Sequence, residues 1–128
     1  MNNQVTFKSD FFKPIEGEEK ETNPGCYGKA LAVWIEEKLR ARDVSVDGVV
    51  AEDWGWLVMV SRKPFLLWIG CGNVQGSPGE WRLFVEAEPS IMQRVFKNVN
   101  PTAVVAELAE HIAQLVPTIP RVSDIVWE

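Results

Sequence analysis

Cys26 is the residue best suited by type and place to covalent chemistry. It follows Asn23-Pro24-Gly25, a sequence that reads as a helix start. Asn accepts a free backbone N–H as an N-cap, and Pro tolerates the first helical position because its missing donor is not needed there. Backbone N–H groups and the helix dipole at such a position favour a thiolate. A cysteine nucleophile also needs a base, and the single histidine, His111, is the one imidazole in the chain. The pair works only if the fold joins the start of one helix to the middle of another. The structural alternative for Cys26 is a small buried residue packed beside Gly25 and Gly28. For His111 it is a boundary position on an amphipathic helix, bonded locally to Glu107 one turn earlier.

Carboxylates occur in two pairs, Glu52-Asp53 and Glu86/Glu88. Hydrolysis of a sugar linkage needs two carboxyl groups facing each other across a cleft of about 5–10 Å. Glu86 and Glu88 are two apart on an alternating segment, so they share one strand face with Arg82. That pattern fits a solvated strand with ion pairs. The run Gly70-Cys71-Gly72-Asn73-Val74-Gln75-Gly76 has the glycine content of a phosphate loop, but Ser77-Pro78-Gly79 and a strand follow it. A phosphate loop must open a helix, so a hairpin connection is the better account. One His and two separated Cys offer no zinc-ligand spacing, and no loop carries the alternating acids of a calcium-binding helix–loop–helix. No metal and no cofactor is expected.

The aromatic residues carry more information. Of six Trp, three fall close together: Trp54 and Trp56 flank Gly55, and Trp68 stands among Leu66, Leu67 and Ile69. Strict alternation puts Trp54 and Trp56 on one face, with Gly55 on the other. The segments 54–61 and 65–71 are apolar on both faces, which a half-exposed sheet is not. Core packing explains any one of these indoles. As a group, together with Glu52 and Asp53, they suggest a binding surface, since aromatic residues dominate interface hot spots.

The elements that would position these residues follow from periodicity. Residues 4–12 read as a strand and 13–22, with Pro14, Gly17 and four glutamates, as a solvated loop. Tyr27, Leu31, Trp34, Ile35 and Leu39 form the apolar stripe of a helix beginning between Asn23 and Tyr27. Strands are expected at 45–52, 54–61, 65–71 and 80–88, the last alternating Trp81, Leu83, Val85 and Ala87 against Arg82, Phe84, Glu86 and Glu88. A short turn is expected at 90–97. A second Asn-Pro start at Asn100-Pro101 opens a helix through Val104, Val105, Leu108, Ile112, Leu115 and Val116, stopped by Pro117 and Pro120, before a strand at 121–127. The order β-α-β-β-β-β-α-β, with short links between strands, predicts an α+β fold: a twisted, mostly antiparallel sheet of five or six strands with two helices on one face. Two helices cover one face. The other needs a lid from the N-terminal segment or the 90–97 turn, a second copy of the chain, or another protein.

Composition narrows the classes. A chain of 128 residues, 46% apolar and 24% charged, suits one globular domain over residues 1–128 with a conventional core. The net charge of −5, with basic residues scattered, argues against nucleic acid and permits a basic protein partner. No apolar run reaches the roughly 20 residues of a membrane span, and no secretory pattern stands at the N-terminus. A cytoplasmic location is the expectation.

Two segments, Glu18-Glu19-Lys20-Glu21-Thr22-Asn23-Pro24-Gly25-Cys26-Tyr27-Gly28-Lys29 and Glu52-Asp53-Trp54-Gly55-Trp56, resemble those of small uncharacterised bacterial proteins. Size, acidity and element order are similar to those of immunity proteins that neutralise toxins exchanged between competing bacteria. The resemblance implies a non-catalytic protein-binding module, of toxin-neutralising or regulatory type, facing a basic toxin or enzyme; it transfers no site residue. The residues leave two further readings: a small enzyme or ligand-binding protein with a Trp-lined pocket, and a homodimer burying the spare sheet face.

Overall fold

A computed structural model describes residues 3–88 and 100–128; the turn expected at 90–97 lies outside them. The elements are β1 (Gln4–Lys8), α1 (Lys29–Ala41), β2 (Gly48–Glu52), β3 (Gly55–Ser61), β4 (Leu66–Asn73), β5 (Glu80–Glu88), α2 (Pro101–Leu115) and β6 (Ser123–Trp127). Single 3-10 turns occupy Glu18–Lys20 and Val116–Thr118. The class is α+β, in the element order expected. Six strands form one antiparallel sheet in the order β2-β3-β4-β5-β1-β6.

Short links build the β2–β5 meander, since a few residues can only return a strand antiparallel to its neighbour. β1 then pairs with the far side of β5, Val5 opposite Leu83 and Phe7 opposite Trp81. The N-terminal segment is therefore a strand within the sheet and not a lid over it. It ends at Lys8, earlier than the expected 12. There Ser9 turns inward, its hydroxyl donating to the Pro120 carbonyl at 2.7 Å, and Phe12 packs edge-on against Trp34 and Trp81.

Alternate residues of the strands, Val5, Phe7, Val58, Ile69, Leu83 and Val85 among them, face the helices and are buried. Leu31, Ile35 and Leu39 of α1 and Leu108, Ile112 and Leu115 of α2 complete the same core. Each such side chain contributes about 1.5–3 kcal/mol by leaving water. α1 lies on β2, β3 and β4, and α2 on β5, so both helices cover one face. Among the described residues no helix is long and apolar enough to cross a membrane.

The two Asn-Pro sites behave differently. Asn100 caps α2, its side-chain oxygen accepting the Ala103 N–H at 3.2 Å with Pro101 in the first turn. Asn23 does not cap α1, which begins six residues later at Lys29. Gly25 and Gly28 hold φ of +80° and +150°, outside the helical region, and the Asn23 amide donates instead to the Asp53 carbonyl at 2.9 Å. The loop at 13–22, expected to be solvated, also departs from expectation: Glu18 is only 2% exposed.

Candidate functional site

The two-residue turn Asp53-Trp54 joins β2 to β3, with Glu52 opposite Gly55. Gly55 adopts φ +155°, and a Cβ there would come within 2.8 Å of the Cys71 carbonyl oxygen. Trp54 thus belongs to the turn and not to the strand. The alternation that would place it beside Trp56 is broken, and the two indoles leave on opposite faces of the sheet.

Trp56 goes inward and is 3% exposed. Its indole N–H donates to Glu18 Oε1 at 3.0 Å. The same oxygen accepts the backbone N–H groups of Gly28 at 3.0 Å and Lys29 at 3.1 Å, while Oε2 accepts that of Ile15. A buried carboxylate is tolerable only when its lone pairs are filled, and here the start of α1 supplies donors and a favourable dipole. The Lys29 ammonium lies 5.0 Å from the Trp56 ring centre and 3.9 Å from a Glu21 oxygen. Asn73 ties the same loop to β4: it accepts the Tyr27 N–H and donates to the Gly25 and Ser77 carbonyls, each at 2.9 Å. Glu19 accepts the Gly25 N–H at 2.8 Å and the Tyr27 hydroxyl, a bond that raises the phenol pKa above its usual value. Residues 18–29 and the 52–56 turn therefore meet here, as a hub whose backbone donors are taken up internally.

The opposite face of the sheet carries a different group. Trp54 stacks on Trp68 at 6.0 Å between ring centres, and Phe84 closes the triangle at 5.1 Å from Trp54 and 5.6 Å from Trp68. Phe84 lies flat over Gly70, its cross-strand partner; a Cβ on Gly70 would fall 2.2 Å from the Phe84 ring. Trp54 remains 38% exposed, and Trp68 and Phe84 are half-buried. Beside the triangle runs a groove of about 230 Å³, floored by Leu57, Met59 and Leu66, walled by Trp54 and Trp68, and bounded by the carboxylates of Glu52 and Glu88. Neither indole N–H of Trp54 and Trp68 is hydrogen-bonded to another described residue, so the polar edge of each ring is available to a ligand.

Of the residues singled out in the sequence, Trp54, Trp68 and Glu52 come together on this outer face. Trp56 does not: it belongs to the hub. Asp53 stands in the turn, its carbonyl engaged by Asn23. Cys26 lies three residues before α1, so it is not a first-turn residue, and the N–H groups of Gly28 and Lys29 that would favour a thiolate are occupied by Glu18. His111 lies towards the other end of β3, beside Val60, Leu67 and Val44, whereas the Cys26 loop meets the Gly55 end. Cys26 and His111 are thus not brought together. The bond expected between His111 and Glu107 is not formed: Nδ1 is enclosed without a partner among the described residues. Burial pushes the Cys71 thiol far above its usual pKa, so this second thiol is inert in the folded chain.

Sequence reasoning passed over Phe84, Leu57 and Met59 as site residues. Part of a signal for Phe84 existed: it is the one aromatic on the polar side of β5, but its glycine partner emerges only from the strand register. Comparison with protein-family models, with curated proteins and with solved structures found no match.

Proposed function

We propose that this chain is a non-catalytic protein-binding module, of toxin-neutralising or regulatory type, that docks its partner on the outer face of the sheet. The observation that supports this reading is the Trp54–Trp68–Phe84 triangle with its adjoining groove, an aromatic surface outside the helix-covered core. Aromatic side chains of this kind contribute disproportionately to association, and a rigid sheet holds them without loss of conformational freedom on binding. The acidic balance, −5 overall, favours a basic partner by long-range attraction. The separation of Cys26 from His111 leaves the enzyme reading without its nucleophile–base pair.

The test is affinity capture from the source cell with the folded chain and with a Trp54→Ser/Trp68→Ser variant of unchanged circular dichroism. The proposal predicts a protein retained by the first and lost by the second, in one-to-one ratio by light scattering. Equal retention by both variants contradicts it. A concentration-dependent dimer abolished by the same substitutions would assign the face to self-association instead.

A further inference from the structure

The groove beside Trp54 and Trp68 has a chemistry narrower than that of a general apolar patch. Resting on the docking reading above, we infer that it receives an arginine side chain of the partner. Four observations converge. At about 230 Å³ the groove is smaller than the ~300–1,000 Å³ of sites for whole small molecules, and matches a single long side chain. Its walls are indole, the ring that best attracts a cation. Its floor of Leu57, Met59 and Leu66 suits the methylene stem of a long side chain.

Finally, the charged groups among its described lining residues are all of one sign. Glu52 stands opposite Gly55 at one end of the strands and Glu88 opposite Leu66 at the other, so the two carboxylates enter the groove from opposite ends. Among the described residues neither is paired with a cation, and no lysine or arginine lines the groove. Arg82, on the same face, stands opposite Gly72 on the Phe84 side of Trp54 and is not among the residues that line the groove. A guanidinium fits this set better than an ammonium: it is planar, weakly hydrated, stacks on aromatic rings and presents donors in several directions.

The experiment uses the isotope-labelled full chain and three capped tripeptides, acetyl-Gly-X-Gly-amide, with X as arginine, lysine or citrulline, followed by the indole N–H resonances of Trp54 and Trp68. The arginine peptide is expected to shift both signals saturably, more tightly than lysine, and at least about 10-fold more tightly than the isosteric but neutral citrulline. Added salt and the Glu52→Gln/Glu88→Gln variant, whose unliganded spectrum should be preserved, are each expected to weaken the response. Equal response to arginine and citrulline, an arginine response unchanged in the double variant, or no response to any peptide overturns the assignment. Capture of a partner that is lost with Trp54→Ser/Trp68→Ser yet unaffected by Glu52→Gln/Glu88→Gln would overturn the arginine site while leaving the docking face intact; capture unaffected by either variant would remove both.

Discussion

Trp56 points into the core with its N–H on a buried carboxylate, while Trp54, one glycine away, lies against Trp68 and Phe84 with 38% of its surface open. The same side chain serves two purposes because the environments differ in what remains unsatisfied. Around Trp56, the ring is covered and its donor, the start of α1 and the Ile15 N–H all converge on Glu18. Around Trp54, apolar area, an indole N–H and two carboxylates have no partner among the described residues. An internally satisfied cluster contributes stability and rigidity; an unsatisfied one has chemistry left for another molecule.

Removing the acceptor of the hub should produce the largest effect. Glu18→Ala leaves four N–H groups without their partner, and each buried donor so orphaned costs about 1–3 kcal/mol. A loss of at least about 3 kcal/mol is expected in urea unfolding, with part recovered in Glu18→Gln, which keeps one acceptor oxygen. A loss below about 1 kcal/mol would mean that water replaces the carboxylate and that the hub is not a constraint.

Next comes the contrast between the two indoles. Trp56→Ala is expected to destabilise by about 3–5 kcal/mol, as for other large-to-small core changes, and Trp54→Ala by about 1 kcal/mol or less, as for a partly exposed position. Similar losses at the two positions would erase the distinction between core and open face.

A subtler change sharpens the picture of the outer face. In Gly70→Ala the new methyl meets the far edge of the Phe84 ring, which can swing away, so the stability change should stay within about 1–2 kcal/mol. Phe84 would then no longer complete the triangle. Near-ultraviolet circular dichroism should lose the signal of the coupled rings while far-ultraviolet helix and strand content persists.

The smallest effect concerns the hub's edge. Tyr27 is the single tyrosine, and its hydroxyl bond to Glu19 raises the phenol above its usual 10.0. Because the folded state holds this proton more tightly than the unfolded chain, the contribution is complete below pH 10.0 and fades as pH rises through the raised midpoint. Ultraviolet titration should place that midpoint above 10.0, and Glu19→Gln should lower it.

Much of the architecture was legible because it rests on periodicity. The stripe Leu31, Ile35, Leu39, the alternation Trp81, Leu83, Val85 and the Asn100-Pro101 cap each encode a local rule that tertiary packing did not override. The double-sided apolar character of β3 and β4 likewise marked a second apolar face. What escaped was long-range. Whether Asn23 caps a helix depends on Asp53, thirty residues away, and Glu18 reads as one acid in a charged loop until Trp56 and Gly28 are beside it. The division of Trp54 from Trp56 turns on one backbone angle at Gly55, set by the close approach of Cys71 and not by any pattern in the neighbouring residues. Phe84 gained meaning only once Gly70 stood opposite it.

Hydrogen exchange of the individual indole N–H groups tests the central claim most directly. The Trp56 proton, held by a buried carboxylate, should exchange only through global opening, at a rate that tracks unfolding stability. The protons of Trp54 and Trp68 should exchange within the first minutes in the free chain, and slow only when a partner binds. Protection of Trp54 and Trp68 equal to that of Trp56 in the free, monomeric chain would show that the outer face is already sealed, and would contradict its use as a docking surface.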